Sequence, residues 1–195
     1  MFLSDHEVLV FSAILFFFLL PLQISASPSK AAASMQKKLQ YVESNGAAPR
    51  PNEKPTQFTE EEINSYLASD LVILPLGIES ARFSGSSGQL TATARINFDQ
   101  IKTGRRSSNP LLFVFSGTHD VLVSAHAHGE KHQGYVHVDT VQLDGVEIPE
   151  FVLQLFVEKY LQPKYPNIGI DSQFPLPDKI DTASIGNHVL TITQR

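Results

Sequence analysis

The chain has 195 residues, of which 42% are hydrophobic and 18% charged, and its net charge is −5 at pH 7. That balance is globular and excludes the clustered basic surface that nucleic acid demands. There is no Cys, which excludes disulfide staples, thiolate chemistry and anchoring through an acylated cysteine, so stability must come from burial alone.

An apolar run from Val8 to Leu22 is followed by the small-residue segment Ile24-Ser25-Ala26-Ser27. That order predicts an export segment over residues 1–26, with Ala26 at the position before cleavage. The first seven residues depart from the pattern, since they carry Asp5 and Glu7 and no Lys or Arg. The run is also short for a spanning helix, which needs about 20 apolar residues. Residues 1–26 are therefore read as a signal peptide or membrane anchor, and the remainder as exported, periplasmic or held at the inner membrane.

Residues 31–43 predict a short helix, and residues 44–57, rich in Pro, Asn and charge, a linker. A single domain of about 140 residues is then expected from Phe58 to the C-terminus, enough for one core. Thr59 with Glu62 three residues on is the pattern of a capping box, and Phe58 with Ile63 that of a hydrophobic staple. Ile63, Tyr66 and Leu67 give that helix one apolar stripe.

After Pro75 the period changes to two. Leu90, Ala92, Ala94, Ile96 and Phe98 alternate with polar residues and predict a half-buried strand, with 78–83 as its hairpin partner. Lys102, Arg105 and Arg106 lie in a polar loop that could meet anionic head groups or simply be solvated. The apolar run Leu111–Phe115 reads as a strand. Val121, Val123, Ala125 and Ala127 alternate again, and a turn leads into the strand 135–143. There Val136 and Val138 face one way while Val141 and Leu143 face the other, which predicts a one-residue bulge near Thr140.

Pro149 opens a helix over 150–161 whose polar positions Glu150, Gln154 and Glu158 form one narrow line. A helix this apolar around its girth must be buried on two sides, or must turn one side to an apolar ligand or membrane. Prolines punctuate the connection to a last hairpin, 179–185 and 188–193, around Gly186-Asn187. The fold class is α+β: a long curved antiparallel sheet packed on two helices.

From Phe58 onward the order FTEEEINSYL, INFDQI, VQLDGVEIPEFVLQLF, LPDKI and a glycine-turn hairpin resembles small exported bacterial proteins of the tubular lipid-binding superfamily, akin to envelope proteins of lipomannan elongation. The resemblance covers residues 58–195 and rests on structural motifs, none of them catalytic. It implies a curved sheet wrapping a long helix, with an apolar groove for acyl chains, and it transfers no individual ligand residue.

Three functional readings follow. The first is a non-catalytic envelope protein that binds a lipid or lipid-linked glycan, with membrane contact and no cofactor. Its groove walls are Phe151, Leu155, Phe156 and Tyr160, opposed by Ile63 and Leu67. The second is a zinc enzyme. If Ala127 faces Val136 and Ala125 faces Val138, then His126 lies directly across from His137, with Cβ atoms about 5 Å apart. His128 projects from the same face, and three imidazoles can hold zinc with an open fourth position. An exposed polar face, or one whose charge changes near neutrality, explains the same histidines. The third reading is a structural or interaction module. Nucleophilic catalysis has no support beyond Ser116, His119 and Asp120, which are too close in sequence to converge and read as a turn.

Overall fold

The computed structural model describes residues 28–102 and 108–195. The segment 1–26, predicted above to direct export, and the pair Arg105 and Arg106 lie outside the described residues. The fold is α+β, built on an open antiparallel sheet of nine strands.

The chain enters through α1 (Lys30–Ala47), capped by the Ser29 hydroxyl, which accepts from the Ala32 amide at 3.1 Å. Ala32, Met35, Leu39, Val42 and Gly46 repeat at steps of three and four, and all five are buried. An extended segment leads to β1 (Thr56–Thr59), which pairs with the last strand. Residues 30–47 thus form the helix expected over 31–43, longer at both ends, and its buried side chains enter the core. Met35, Leu39 and Val42 share a core cluster with Phe58, Ala125, Phe174 and Ile192.

The capping box opens α2 (Glu60–Leu67) as predicted: Thr59 Oγ1 accepts from the Glu62 amide, and Glu62 Oε2 accepts from the Thr59 amide at 2.8 Å. Glu62 also accepts from Ser34 Oγ at 2.6 Å and Lys38 Nζ at 2.7 Å, so one carboxylate both caps α2 and holds α1.

Strands β2 (Ile78–Ser86) and β3 (Gln89–Asn97) form the first hairpin. Its turn is Ser87-Gly88, both at positive φ (45° and 85°), the geometry that matches strand twist. A short helix α3 (Phe98–Lys102) follows. The predicted strand Leu111–Phe115 is instead a 3-10 helix, Pro110–Phe115. The Asn109 side chain caps it at the Leu111 amide, 3.0 Å away, and Pro110 supplies a fixed φ without a donor. An apolar run of this length has no periodicity that separates the two outcomes.

The long hairpin β4 (Thr118–Glu130) and β5 (Gln133–Leu143) has the expected register: Ala127 opposite Val136, Ala125 opposite Val138 and His126 opposite His137. Ser124 pairs with Thr140 and Ala125 with Val138, which leaves Asp139 as the bulged residue. The bulge brings Val136, Val138, Val141 and Leu143 to one face, all 4–5% exposed.

β6 (Val146–Glu147) precedes α4 (Glu150–Phe156), which continues as a π-helical turn over Val157–Leu161. β7 (Asp171–Pro175) pairs with β5. The last hairpin is β8 (Ile180–Gly186) and β9 (Val189–Gln194), turning at Asn187-His188 rather than at Gly186-Asn187. His188 takes φ 55° there, its carbonyl accepts from the Glu60 amide at 2.9 Å, and its Nδ1 lies 2.6 Å from the Glu60 carboxylate. Those contacts tie the turn to α2.

β4 organises the sheet. On one edge it pairs with β5; on the other it pairs with β3 as far as His126 and then with β8 at His128 and Gly129. Two clusters fill the buried face. One gathers Phe98, Phe115, Val141, Leu153, Phe156 and Leu161, and the other holds the α1 residues.

Candidate functional site

Two places could carry chemistry: the histidine face of the sheet and the apolar space beneath its other face. The first is a short chain of imidazole–carboxylate contacts with Asp139 shared between two rings. Asp139, placed by the bulge, lies 2.8 Å from His126 Nδ1 and 3.9 Å from His137 Nε2. His137 Nδ1 is 2.6 Å from Asp171, which is the main reason the imidazole is held above its usual pKa. His128 stacks on Tyr135, with ring centroids 5.0 Å apart, and does not join the other two. Among the described residues no group of three or more His, Asp and Glu is arranged to hold a metal ion.

His119 is likewise paired. Its Nδ1 is 2.6 Å from Asp144 and its Nε2 is 2.8 Å from the Ser116 carbonyl. The Asp144 hydrogen bond raises its pKa above the usual value, against the opposing effect of burial. The Ser116 hydroxyl meets Lys102 Nζ at 3.4 Å rather than the imidazole, so no nucleophile–base pair forms. Lys102 itself is bound to Asp99 at 3.0 Å.

The apolar space is a cavity of about 100 Å³ between the β2–β5 strands, α3, the 3-10 helix and the helix after Pro149. Its origin is visible in the cross-strand pairs. Ala81 pairs with Ala94 and Phe83 with Ala92, so three of the four side chains at the centre of this hairpin's inner face end at Cβ. Across from them Phe98, Phe115 and Phe156 pack together, with Phe115 and Phe156 ring centroids 4.2 Å apart. Leu74, Ile101 and Leu161 add to the wall, and among the described residues that line it Thr93 is the one that is not apolar. Ala81, Phe83, Ala92 and Ala94 are half-buried, so the space opens along the hairpin.

Of the six residues predicted as groove walls, Phe156 lines this cavity. Tyr160 is buried beside it, with ring centroids 5.2 Å apart, and Leu155 is half-buried against the same cluster. Phe151, at 60% exposure, points away. Ile63 and Leu67 do not oppose them. α2 lies against α1, β1 and β2, and Ile63 packs on the other cluster. The missed lining residues were legible in part, because the alternation already turned Ala92, Ala94, Ile96 and Phe98 to one face. What alternation could not show is that their small size would remain unfilled.

Comparison with protein-family models, with characterised proteins and with solved structures finds no match to this chain. No helix among the described residues is long and apolar enough to cross a membrane.

Proposed function

We propose that this is a non-catalytic, exported envelope protein that holds an acyl chain of a lipid or lipid-linked glycan in the cavity beneath β2 and β3. In this reading the sheet curves around α4, and residues 1–26 deliver the domain to the envelope. The observation that carries the proposal is an internal space, about 100 Å³, walled almost wholly by apolar side chains and open along one hairpin. Natural cores close such gaps, because unfilled volume costs about 24 cal/mol per Å³.

The volume bounds the ligand. An apolar cavity of about 150 Å³ takes benzene, so this one as it stands takes a group of roughly six carbons or fewer. Five buried methylenes contribute about 4 kcal/mol, which corresponds to a Kd near 1 mM. Micromolar binding needs about ten. In this reading a bound chain extends beyond this space, between the hairpin and the segment 68–77 that carries Leu74.

The test is native mass spectrometry of the full chain, expressed with export and purified without detergent. A mass excess that organic extraction removes and identifies as lipid is expected. An apo mass in every preparation would overturn the proposal.

A further inference from the structure

Three segments that close the cavity are apolar on their outer sides as well. The segment 68–77 turns Leu74 inward and exposes Ile73 and Leu76 at 77% and 65%. The 3-10 helix buries Leu112 and Phe115 and exposes Leu111, Phe113 and Val114, so two of its three faces are apolar and uncovered. α4 buries Phe156 and exposes Phe151 at 60%. Single exposed apolar residues are ordinary, but such groups on several segments around one cavity mark an interaction surface.

We propose that these outer side chains insert into the surface of a lipid bilayer, so that the cavity opens against the membrane. The inference rests on the cavity reading for its purpose, but its own evidence is the exposed side chains. A bilayer fits them better than a second copy of the chain. They stand on three short, separate stretches of chain: a turn-rich segment, a two-turn 3-10 helix and the start of α4. The chain outside the described residues also points to a membrane: the run Val8–Leu22 ends shortly before Ser29, the cap of α1. The net charge of −5, with Glu150 and Glu158 on the same helix as Phe151, argues for apolar insertion into a neutral bilayer rather than attraction to anionic lipid.

Because the chain has no Cys, single cysteines can report on each position. Full chain carrying Phe113→Cys, Phe151→Cys or Gln173→Cys, the last on the exposed polar face, is labelled with a polarity-sensitive fluorophore. Each is mixed with phosphatidylcholine vesicles with and without spin-labelled acyl chains. The expected result is a blue shift and quenching at positions 113 and 151 and neither at 173, unchanged by salt. A Phe113 and Phe151 signal that stays aqueous would overturn the proposal even if residues 8–22 hold the chain on the vesicle. A blue shift that grows with protein concentration in lipid-free buffer would also overturn it, in favour of self-association. Quenching reads the outer side chains alone, so it is separable from lipid retention in the cavity. The three variants change exposed positions, and matching circular dichroism confirms that they fold.

Discussion

Ala94→Leu is the sharpest probe of the cavity. Ala94 pairs with Ala81 on β2 and Val121 on β4 and lines the space with both. The unfilled 100 Å³ represents up to about 2.4 kcal/mol at ~24 cal/mol per Å³. Three added carbons bury apolar surface of the same order, at about 0.8 kcal/mol each. An imperfect rotamer takes back about 1 kcal/mol or more. The lipid-free variant should therefore gain about 1 to 2 kcal/mol, a rise in Tm of roughly 2–8 °C for a chain of this size. The same substitution should remove co-purifying lipid, because the leucine occupies the volume the chain would enter. Scanning calorimetry of extracted protein and lipid quantification of unextracted protein read the two effects separately. A lower Tm would mean that the space cannot accept three carbons. A higher Tm with lipid undiminished would refute the assignment of the ligand to this cavity.

Other outcomes follow from the contacts that assemble the fold. Burial pushes Glu62 upward, but hydrogen bonds from Lys38, Ser34 and the Thr59 amide outweigh it and hold the carboxyl below its usual pKa of 4.5. Its stabilisation is thus present above pH 4.5 and lost as pH falls through the lower folded value. Glu62→Gln should cost about 1.5–3 kcal/mol at pH 7 in urea unfolding, with a smaller deficit in acid; an equal deficit at both pH values would show that the charge is unimportant. A Cβ at Gly46 would overlap the Asp178 carbonyl, so Gly46→Ala should destabilise by about 1–3 kcal/mol, and an unchanged urea midpoint would contradict this seating of α1. His119 is raised above 6.5 by Asp144, so the stability it contributes is complete below pH 6.5 and lost as pH rises through the folded value. Imidazole NMR titration should show that elevated midpoint, and Asp144→Asn should return it toward 6.5; a midpoint unmoved by the substitution would remove Asp144 as the cause.

The register of β4 and β5 was legible because the strand period is two and a one-residue slip would expose Val136 and Val138. The bulge was legible for the same reason: Val141 and Leu143 reach the buried face only if one residue is skipped. The capping box was legible because its two hydrogen bonds span three residues. By contrast, Leu111–Phe115 is apolar throughout and carries no period, so the Asn109 cap and Pro110 decided its form. The turn at Asn187-His188 meets Glu60, a contact remote in sequence that no local pattern signals.

The local periods of the chain therefore determined its longer strands and helices, their buried faces and the pairing within its hairpins. They could not determine which buried faces meet. The helix at 30–47 is held to the domain by contacts remote in sequence, from Glu62 and from Gln194, the latter through the Val42 carbonyl at 2.7 Å. α2 carries one apolar stripe and α4 is apolar around most of its girth, yet they pack on different clusters, while β4 pairs with β3 along one stretch and β8 along the next. The cavity arises the same way. Ala81, Ala92 and Ala94 are ordinary inward positions on their own strands, and only the distance to Phe98, Phe115 and Phe156 leaves the space between them. Periodicity is set by neighbours along the chain, whereas empty volume depends on what packs opposite, and that belongs to the tertiary structure.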